Sequence, residues 1–447
     1  MFNELISLCE NKQYRELKTR LKNMNPVDIA EFISELENEQ ALIIFRLLGK
    51  DMAADVFSEL ASDTGEFIIT AFSDKEIKVL INDLYVDDAV DLIEELPANV
   101  VKRVLKNASA ETRQMINEFL NYAADSVGSI MTAEFAELRA AMSIRQAVDQ
   151  IRKTGIDLET IYTCYVTDPS RVLLGVVSFK EMLYADENDI IGDIMDRDVK
   201  FLYTTDDREL AADQMSKYGF FAMPAVDQEK RLVGIVTVDD AIEVIEREDS
   251  EDFQKMAGML PTETPYLKTS VLAICKSRIF WLMILMVSGM ISGTILSSFE
   301  EAIAAIPLLV AFMPMLTDTG GNAGSQSSTT IIRAMALSEI EPSDWTTVLG
   351  KELGAALMSG GFIAAINFGR MLIMYRGTAN IVACAAVVSL CVVLIVVMSN
   401  VMGALLPMVA RRVKIDPALV AGPLITTAID ILGILVYFSV ASAVLLK

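Results

Sequence analysis

Two carboxylates in this 447-residue sequence stand where carboxylates are costly. Asp318 and Asp430 lie inside long apolar stretches, Asp318 fifteen residues before Arg333 and Asp430 fourteen residues after Asp416. On helices these separations are about 22 and 21 Å, which is deep in a bilayer. No Lys or Arg inside a stretch is placed to pair with them, so a proton, water or a bound cation must offset their desolvation. The run around Asp318 reads Pro314-Met315-Leu316-Thr317-Asp318-Thr319-Gly320-Gly321-Asn322-Ala323-Gly324-Ser325-Gln326-Ser327-Ser328. Such a polar, glycine-rich segment persists in a membrane only against protein or along water. Its glycines allow close backbone approach, and Asn322, Ser325 and Gln326 offer neutral oxygens. Around Asp430, Gly422-Pro423 precedes Thr426-Thr427-Ala428-Ile429-Asp430, which puts Thr426 one helical turn before the carboxylate on the same face. Mg²⁺ prefers octahedral oxygen and gives up water reluctantly, so carboxylates flanked by hydroxyls and carbonyls suit its hydrated form. A proton relay is the other chemistry that intramembrane carboxylates allow.

The elements that must position these groups are five apolar stretches at 279–297, 303–331, 349–374, 379–409 and 417–446. Each reaches the ~20 residues a helix needs to cross the hydrocarbon core. Lys268, Lys276 and Arg278, then Arg333 and Lys351, then Arg411, Arg412 and Lys414 fall on one side if the N-terminus is inside. Five spans then leave the C-terminus outside, with Glu300, Glu301, Arg370, Arg376 and Lys447. Arg370 and Arg376 run against the positive-inside trend.

The charge of −23 belongs to the first part of the chain. Residues 1–261 hold 27 basic and 51 acidic side chains, whereas 262–447 hold 11 and 10. So acidic a part excludes nucleic acid as a partner and attracts cations; plain solubility is the other use of such charge. The absence of histidine removes the commonest transition-metal ligand and general base. The five cysteines show no metal or disulfide spacing. The opening MFNELISLCENK lacks the pattern of a signal peptide.

Residues 1–125 read as short amphipathic helices, with caps at Asn25-Pro26, Ser73-Asp74 and Ser109-Ala110-Glu111. Recurrence at ~20–25 residues suggests a small α-solenoid; a helical bundle is the alternative. From 126 to 250 two α/β units follow each other. One opens at Ile130-Met131 and closes at Gly175-Val176-Val177; the other opens at Ile194-Met195 and closes at Gly234-Ile235-Val236. These units resemble a tandem CBS pair. The resemblance implies one nucleotide site in the second unit, with Thr237 and Asp240 at the ribose and phosphate positions and Phe220 where adenine stacks. The first unit departs from that pattern with Ser178 and Glu181, and a purely structural pair is the alternative. From Asp239 to about Leu260 a helix places Ile242, Ile245, Phe253 and Met256 near one face, with acids between them.

The order of helical domain, CBS pair, acidic connecting helix and five spans resembles the MgtE family over essentially the whole chain. Its membrane motifs match at Thr319-Gly320-Gly321-Asn322-Ala323-Gly324-Ser325-Gln326, at Asp416-Pro417-Ala418 and at Thr427-Ala428-Ile429-Asp430; the run Lys276-Ser277-Arg278-Ile279-Phe280-Trp281-Leu282 resembles the family's approach to the first span. The fold implied is multidomain: a superhelical α domain (1–125) that senses Mg²⁺, two α/β CBS domains (126–190 and 191–248), a connecting plug helix with linker (249–275) and a five-helix pore domain (276–447). The family implies no enzymatic activity. It implies a homodimer in the bacterial plasma membrane that imports Mg²⁺ through one central pore, with a cytoplasmic N-terminus, an extracellular C-terminus and lipid around it. The pore metal residues implied are Asp430, Thr426, Asn322 and Asp318. The sensor residues implied are Asp87 and Asp91 (with Asp88 an alternative), Asp207 and Glu209, and Glu243, Glu248, Glu251 and Asp252 at the plug. Cytosolic Mg²⁺ closes the pore in this reading, and ATP tunes it. A broader carrier of Co²⁺ or Mn²⁺ is the alternative within transport; a CBS-regulated membrane enzyme or anion channel lies outside it. Gly422, Thr426 and Asp318 stand where family members vary, which puts selectivity in question.

Overall fold

The computed structural model describes residues 2–155, 158–262, 264, 266–377 and 380–445. Positions 379, 446 and 447, assigned above to the ends of the fourth and fifth spans and to the outer side, lie outside them. The chain forms two compact units, Met1–Ile245 and Glu246–Lys447.

The first unit begins with ten short helices, from α1 (Phe2–Glu10) to α10 (Ala110–Phe119). The cap residues read from the sequence act as caps. The Asn25 side chain accepts from Val27 N, Ser109 from Thr112 N, and Ser73 forms a reciprocal box with Glu76. From the third helix on, each packs mainly on the helix two further along: the third on the fifth, the fourth on the sixth, and so on to the eighth on the tenth. That layering is a solenoid rather than a bundle. Leu17, Phe32, Ile44, Ile68 and Ile81 form its continuous core.

Two three-stranded sheets follow. β1 (Phe135–Arg139), β2 (Thr160–Thr167) and β3 (Leu173–Ser178) form one, with β1 parallel and β3 antiparallel to β2. β4 (Leu202–Tyr203), β5 (Ala222–Val226) and β6 (Leu232–Thr237) repeat that order. The helices α11 (Ile144–Thr154), α12 (Phe179–Tyr184), α13 (Ile191–Ile194) and α14 (Arg208–Tyr218) accompany them. The repeated Ile-Met and Gly-x-Val phrases lock the units together crosswise. A Cβ on Gly234 would lie 2.7 Å from Thr132 O and 2.8 Å from Met131 Sδ; one on Gly175 would lie 2.7 Å from Asp196 O and 2.8 Å from Met195 Sδ. Each unit's opening segment therefore covers the other unit's closing strand, and only glycine leaves room. Helix α15 (Val238–Met256) leaves β6 and continues past the end of the first unit. Ala241 and Val244 are buried, whereas Ile242 and Phe253 are 52% and 74% exposed.

The second unit contains α16 (Val271–Ser297), α17 (Glu300–Ala305), α18 (Met313–Ala336), α19 (Trp345–Met374), α20 (Ile381–Arg412) and α21 (Pro423–Leu445). Among the described residues four helical segments are long and apolar enough to cross a membrane: Val271–Ser297, Pro342–Met374, Ile381–Arg412 and Pro417–Leu445. The second expected span differs in both extent and character. Residues 303–312 form the end of α17 and a 3₁₀ turn, Pro307–Phe312, and the long helix starts only at Met313, with Pro314 in its first turn. At 24 residues α18 has membrane-spanning length, about 36 Å, but its Asp, Asn, Gln, Ser and Thr residues make it far less apolar than its neighbours. It packs chiefly on α20 and α21.

Candidate functional site

The membrane helices meet through glycine. A Cβ on Gly320 would lie 2.8 Å from Ile429 Cγ2, one on Gly321 3.1 Å from Thr426 Cγ2, and one on Gly324 2.7 Å from Ile425 Cγ2. This stripe lets the backbone of α18 press against α21. It leaves the opposite face of α18 open, and that face carries Asp318, Asn322, Gln326 and Thr329 at helical spacing. Asn322, Ser325, Gln326, Thr329 and Thr330 line a shallow polar depression of about 430 Å³. Asp430 is half-buried on α21, seven residues after Pro423. It lies close enough to Asp318 for their charges to interact. Asp318 falls in the second turn of α18, nearer a helix end than its distance from Arg333 suggested.

Thr426 contributes differently from expectation. Its methyl faces Gly321, and its hydroxyl donates back to its own helix, 3.0 Å from Pro423 O. Only the remaining lone pairs of that hydroxyl are left for a hydrated ion.

Of two further polar groups in the membrane helices, Glu352 was not anticipated and Arg370 was expected at the outer side. Glu352 of α19 accepts from Ser327 Oγ at 2.8 Å and from Asn400 Nδ2 at 3.0 Å. Arg370, in the last turns of α19, donates to Asn367 Oδ1 at 2.9 Å and lies over the Phe312 ring. The guanidinium near this end of α19 is engaged by an amide and a ring.

The second constellation lies in the first unit. Asp87, Asp88 and Asp91 come from α8 (Val86–Glu95), Glu159 from the turn before β2, and Asp240 from the first turn of α15. Burial and the charges of Glu159, Asp240, Asp91 and Glu59 push Asp88 up to about 8. Burial followed by Asp239, Asp240 and Glu134 pushes Glu159 up to about 7. Burial, then Asp239 and Glu243, push Asp240 up to about 7 against the lowering hydrogen bond from Thr237. Asp87 is raised as well, by burial first and then by Asp88 and Asp240, and its Oδ1 is buried with no hydrogen-bond partner among the described residues. Glu59 is raised by burial and by Asp239 and Glu243. These carboxyls are raised because they are buried and lie close to one another's charge. Among the described residues no three of them converge tightly enough to grip a bare ion. A cation that keeps its inner water shell and is held through those waters fits such a spread-out set, and Mg²⁺ behaves in that way.

Of the expected sensor acids, Asp87, Asp91 and Glu243 belong to this constellation, and Asp240, expected to hold a nucleotide, joins them. Asp88, the alternative, is central to it, and Glu59, Glu134, Glu159 and Asp239 were missed. Asp207 instead caps α14, accepting from Glu209 N at 2.9 Å. Asp240 also accepts from Thr237 Oγ1, while Phe220 stacks on Tyr218 with centroids 5.4 Å apart.

Further along α15 the acids meet a lysine. Lys255 Nζ lies 2.6 Å from Glu251 Oε1 and 2.6 Å from Asp416 Oδ2. Burial, then Asp416, pushes Asp252 up to about 6 against the pull of Lys255, with Glu248 and Glu251 adding to the rise. Two residues past Asp416's 3₁₀ turn (Pro417–Val420), Gly422 adopts φ 46°, where a Cβ would overlap Met256 O. The end of α15 is thereby seated on the segment that begins α21.

Three family patterns match the chain: a divalent cation transporter over residues 313–440, the MgtE intracellular N domain over 24–125, and the CBS domain over 191–247. The magnesium transporter MgtE of Thermus thermophilus is 34% identical over 435 residues, covering 96% of this chain and 95% of the relative. That of Bacillus subtilis is 28% identical over 439 residues, covering 98% and 96%. Among solved structures, the cytosolic domain of the Mg²⁺ channel MgtE in complex with ATP is 30% identical with a TM-score of 0.52, over 55% of this chain and 100% of the solved one.

Proposed function

The chain belongs to the MgtE family of magnesium transporters, and from that premise we propose that it is a Mg²⁺ channel closed by Mg²⁺ itself. The observation that carries the reading is the polar face of α18, Asp318 to Thr329, open beside Asp430 of α21. Such a face is too costly to present to lipid. A second copy of the chain would cover it and turn two such faces towards one water-filled path, with two Asp430 carboxylates at its wall. Hydrated Mg²⁺ enters such a path without losing its inner waters; Asp430 supplies charge, and Asn322, Thr426 and Asp318 supply outer-shell acceptors. The path carries Mg²⁺ into the cell across the plasma membrane, with the N-terminus cytoplasmic and the C-terminus outside.

The acids around Asp88 act as the sensor. Without a divalent ion they repel one another and strain the packing of α8 against the CBS pair. Mg²⁺ displaces their protons, bridges them through its waters and favours the compact state. Helix α15 carries Asp240 and Glu243 in that set and ends at the Lys255–Asp416 contact, with Glu248, Glu251 and Asp252 between. It is the route by which the sensor bears on the head of α21. ATP at Phe220, Thr237 and Asp240 would share Asp240 with the sensor and so couple to Mg²⁺ by linkage. A solved cytosolic domain of a relative in complex with ATP supports nucleotide binding as such. Asp207 and Glu209 supply a further acidic pair on α14.

Mg²⁺ uptake by proteoliposomes carrying the full-length protein and its Asp430→Ala variant tests the pore. Loss of uptake in the variant is expected; uptake that persists contradicts it. Co²⁺ and Mn²⁺ in the same assay decide between a Mg²⁺-selective channel and a broader divalent carrier.

A further inference from the structure

The two faces of α18 are specified very differently. The middle of its buried face is built from Gly320, Gly321, Gly324, Ser327 and Ser328, with Leu316 before them and Ile331, Ile332 and Met335 after, and within that middle stretch glycines offer no ridges to interlock with a neighbour's grooves. Over that stretch few side chains of α18 itself define its rotation. Glu352 supplies what the glycines lack. One of its oxygens, Oε2, accepts from Ser327 of α18 at 2.8 Å and from Asn400 of α20 at 3.0 Å. Both donors are neutral, and both residues are buried, at 4% and 9% exposure. Ser327 Oγ lies 3.1 Å from Asn400 O as well. At the same level Gly403 of α20 approaches α18 so closely that a Cβ there would overlap Gly324 O. A carboxylate from a third helix thus pins α18 to α20 at their tightest crossing, on the side opposite Asp318, Asn322 and Gln326.

We infer that Glu352 is a positioning residue for permeation: through Ser327 and Asn400 it fixes the rotation of α18 and holds Asn322 and Asp318 towards the ion path. The inference rests on the pore reading of α18. The hydrogen bonds do the work, so a neutral side chain of the same shape suffices. The amide oxygen of Gln can accept from both donors, whereas Ala leaves Asn400 Nδ2 unpaired in a buried site and Ser327 with Asn400 O alone as acceptor.

The test uses full-length protein in proteoliposomes: uptake is read with Asn322 intact, and labelling by a water-soluble thiol reagent is read separately on an Asn322→Cys reporter in a Cys275→Ser background. Glu352→Gln should match the parent in Mg²⁺ uptake and in labelling rate. Glu352→Ala should lower uptake roughly tenfold, the equivalent of one lost hydrogen bond to a charged group, and slow the labelling at position 322. Unchanged uptake and labelling in Glu352→Ala, or equal damage from Gln and Ala, overturns the inference. If Glu352→Ala does not reach the membrane, Ser327→Ala carries the test: slowed labelling is expected, and unchanged labelling and uptake overturn it. Asp430→Ala run in parallel separates the two claims. Uptake that survives it defeats the pore reading, while the labelling rate still judges Glu352.

Discussion

Around Asp88 in the first unit, carboxylates from α8, the turn before β2 and the start of α15 crowd together. Burial and mutual repulsion lift Asp88, Glu159 and Asp240 to about 8, 7 and 7. Among the described residues of the membrane helices, Asp318 and Asp430 share the open region, and they stand among Asn, Ser, Gln and Thr. The first arrangement is unstable unless something neutralises it, which suits a switch. The second has few charges and many neutral oxygens, which suits passage: an ion is attracted but not trapped. In the proposed reading, concentrated and dilute carboxylate serve opposite uses in one chain.

The largest expected effect breaks the dilute site. Asp430→Asn should cut Mg²⁺ uptake about a hundredfold, on the scale of removing one charge interaction from a membrane interior. Asp318→Asn, in the second turn of α18, should cost less; unchanged uptake there would refute a direct role for Asp318.

The crowded site yields to pH. Folded-state values of about 8, 7 and 7 lie above the ~4 of an unfolded chain. The folded state therefore binds more protons than the unfolded one between pH ~4 and ~8. This region is most stable at the acid end, and its stability falls as pH rises through 7 to 8. Hydrogen exchange of α8 in Mg²⁺-free detergent solution should accelerate over that window and slow again on adding Mg²⁺. Because Mg²⁺ must displace those protons, the concentration that closes the channel should rise roughly tenfold or more from pH 8 to pH 6. A midpoint independent of pH would separate these acids from the gate.

A smaller effect sharpens the contact between sensor and pore. Lys255→Met removes the ammonium between Glu251 and Asp416, both partly buried. The closing midpoint should move about threefold to higher Mg²⁺, the range of a partly exposed ion pair, in uptake measured against sensor-side Mg²⁺.

Much of this was legible in the sequence, for identifiable reasons. Long apolar runs mark spans whatever their packing, and Asp430 announces itself by standing in one. The caps at Asn25, Ser73 and Ser109 are local chemistry and need no tertiary context. The start of α18 was misplaced because 303–312 is apolar enough to read as helix, while Pro307 and Pro314 shift the long helix to Met313. Glu352 follows Lys351 and reads as an interfacial residue until Ser327 and Asn400 are brought to it from two other helices. Glu159 and Glu134 were missed because the acidic set is assembled from distant segments and no single stretch carries its spacing. The crosswise seating of Met131 on Gly234 and Met195 on Gly175 was visible only as a repeat, since periodicity does not say which copy covers which.

The central claim is that the acids around Asp88 are the Mg²⁺ sensor of the channel. It is tested most directly by measuring Mg²⁺ uptake against sensor-side Mg²⁺ in the full-length protein and in the triple variant Asp88→Asn, Glu159→Gln, Asp240→Asn. Uptake in the variant should lose its dependence on sensor-side Mg²⁺, because neither repulsion nor bridging remains. Closure at the parent's Mg²⁺ concentration would contradict it.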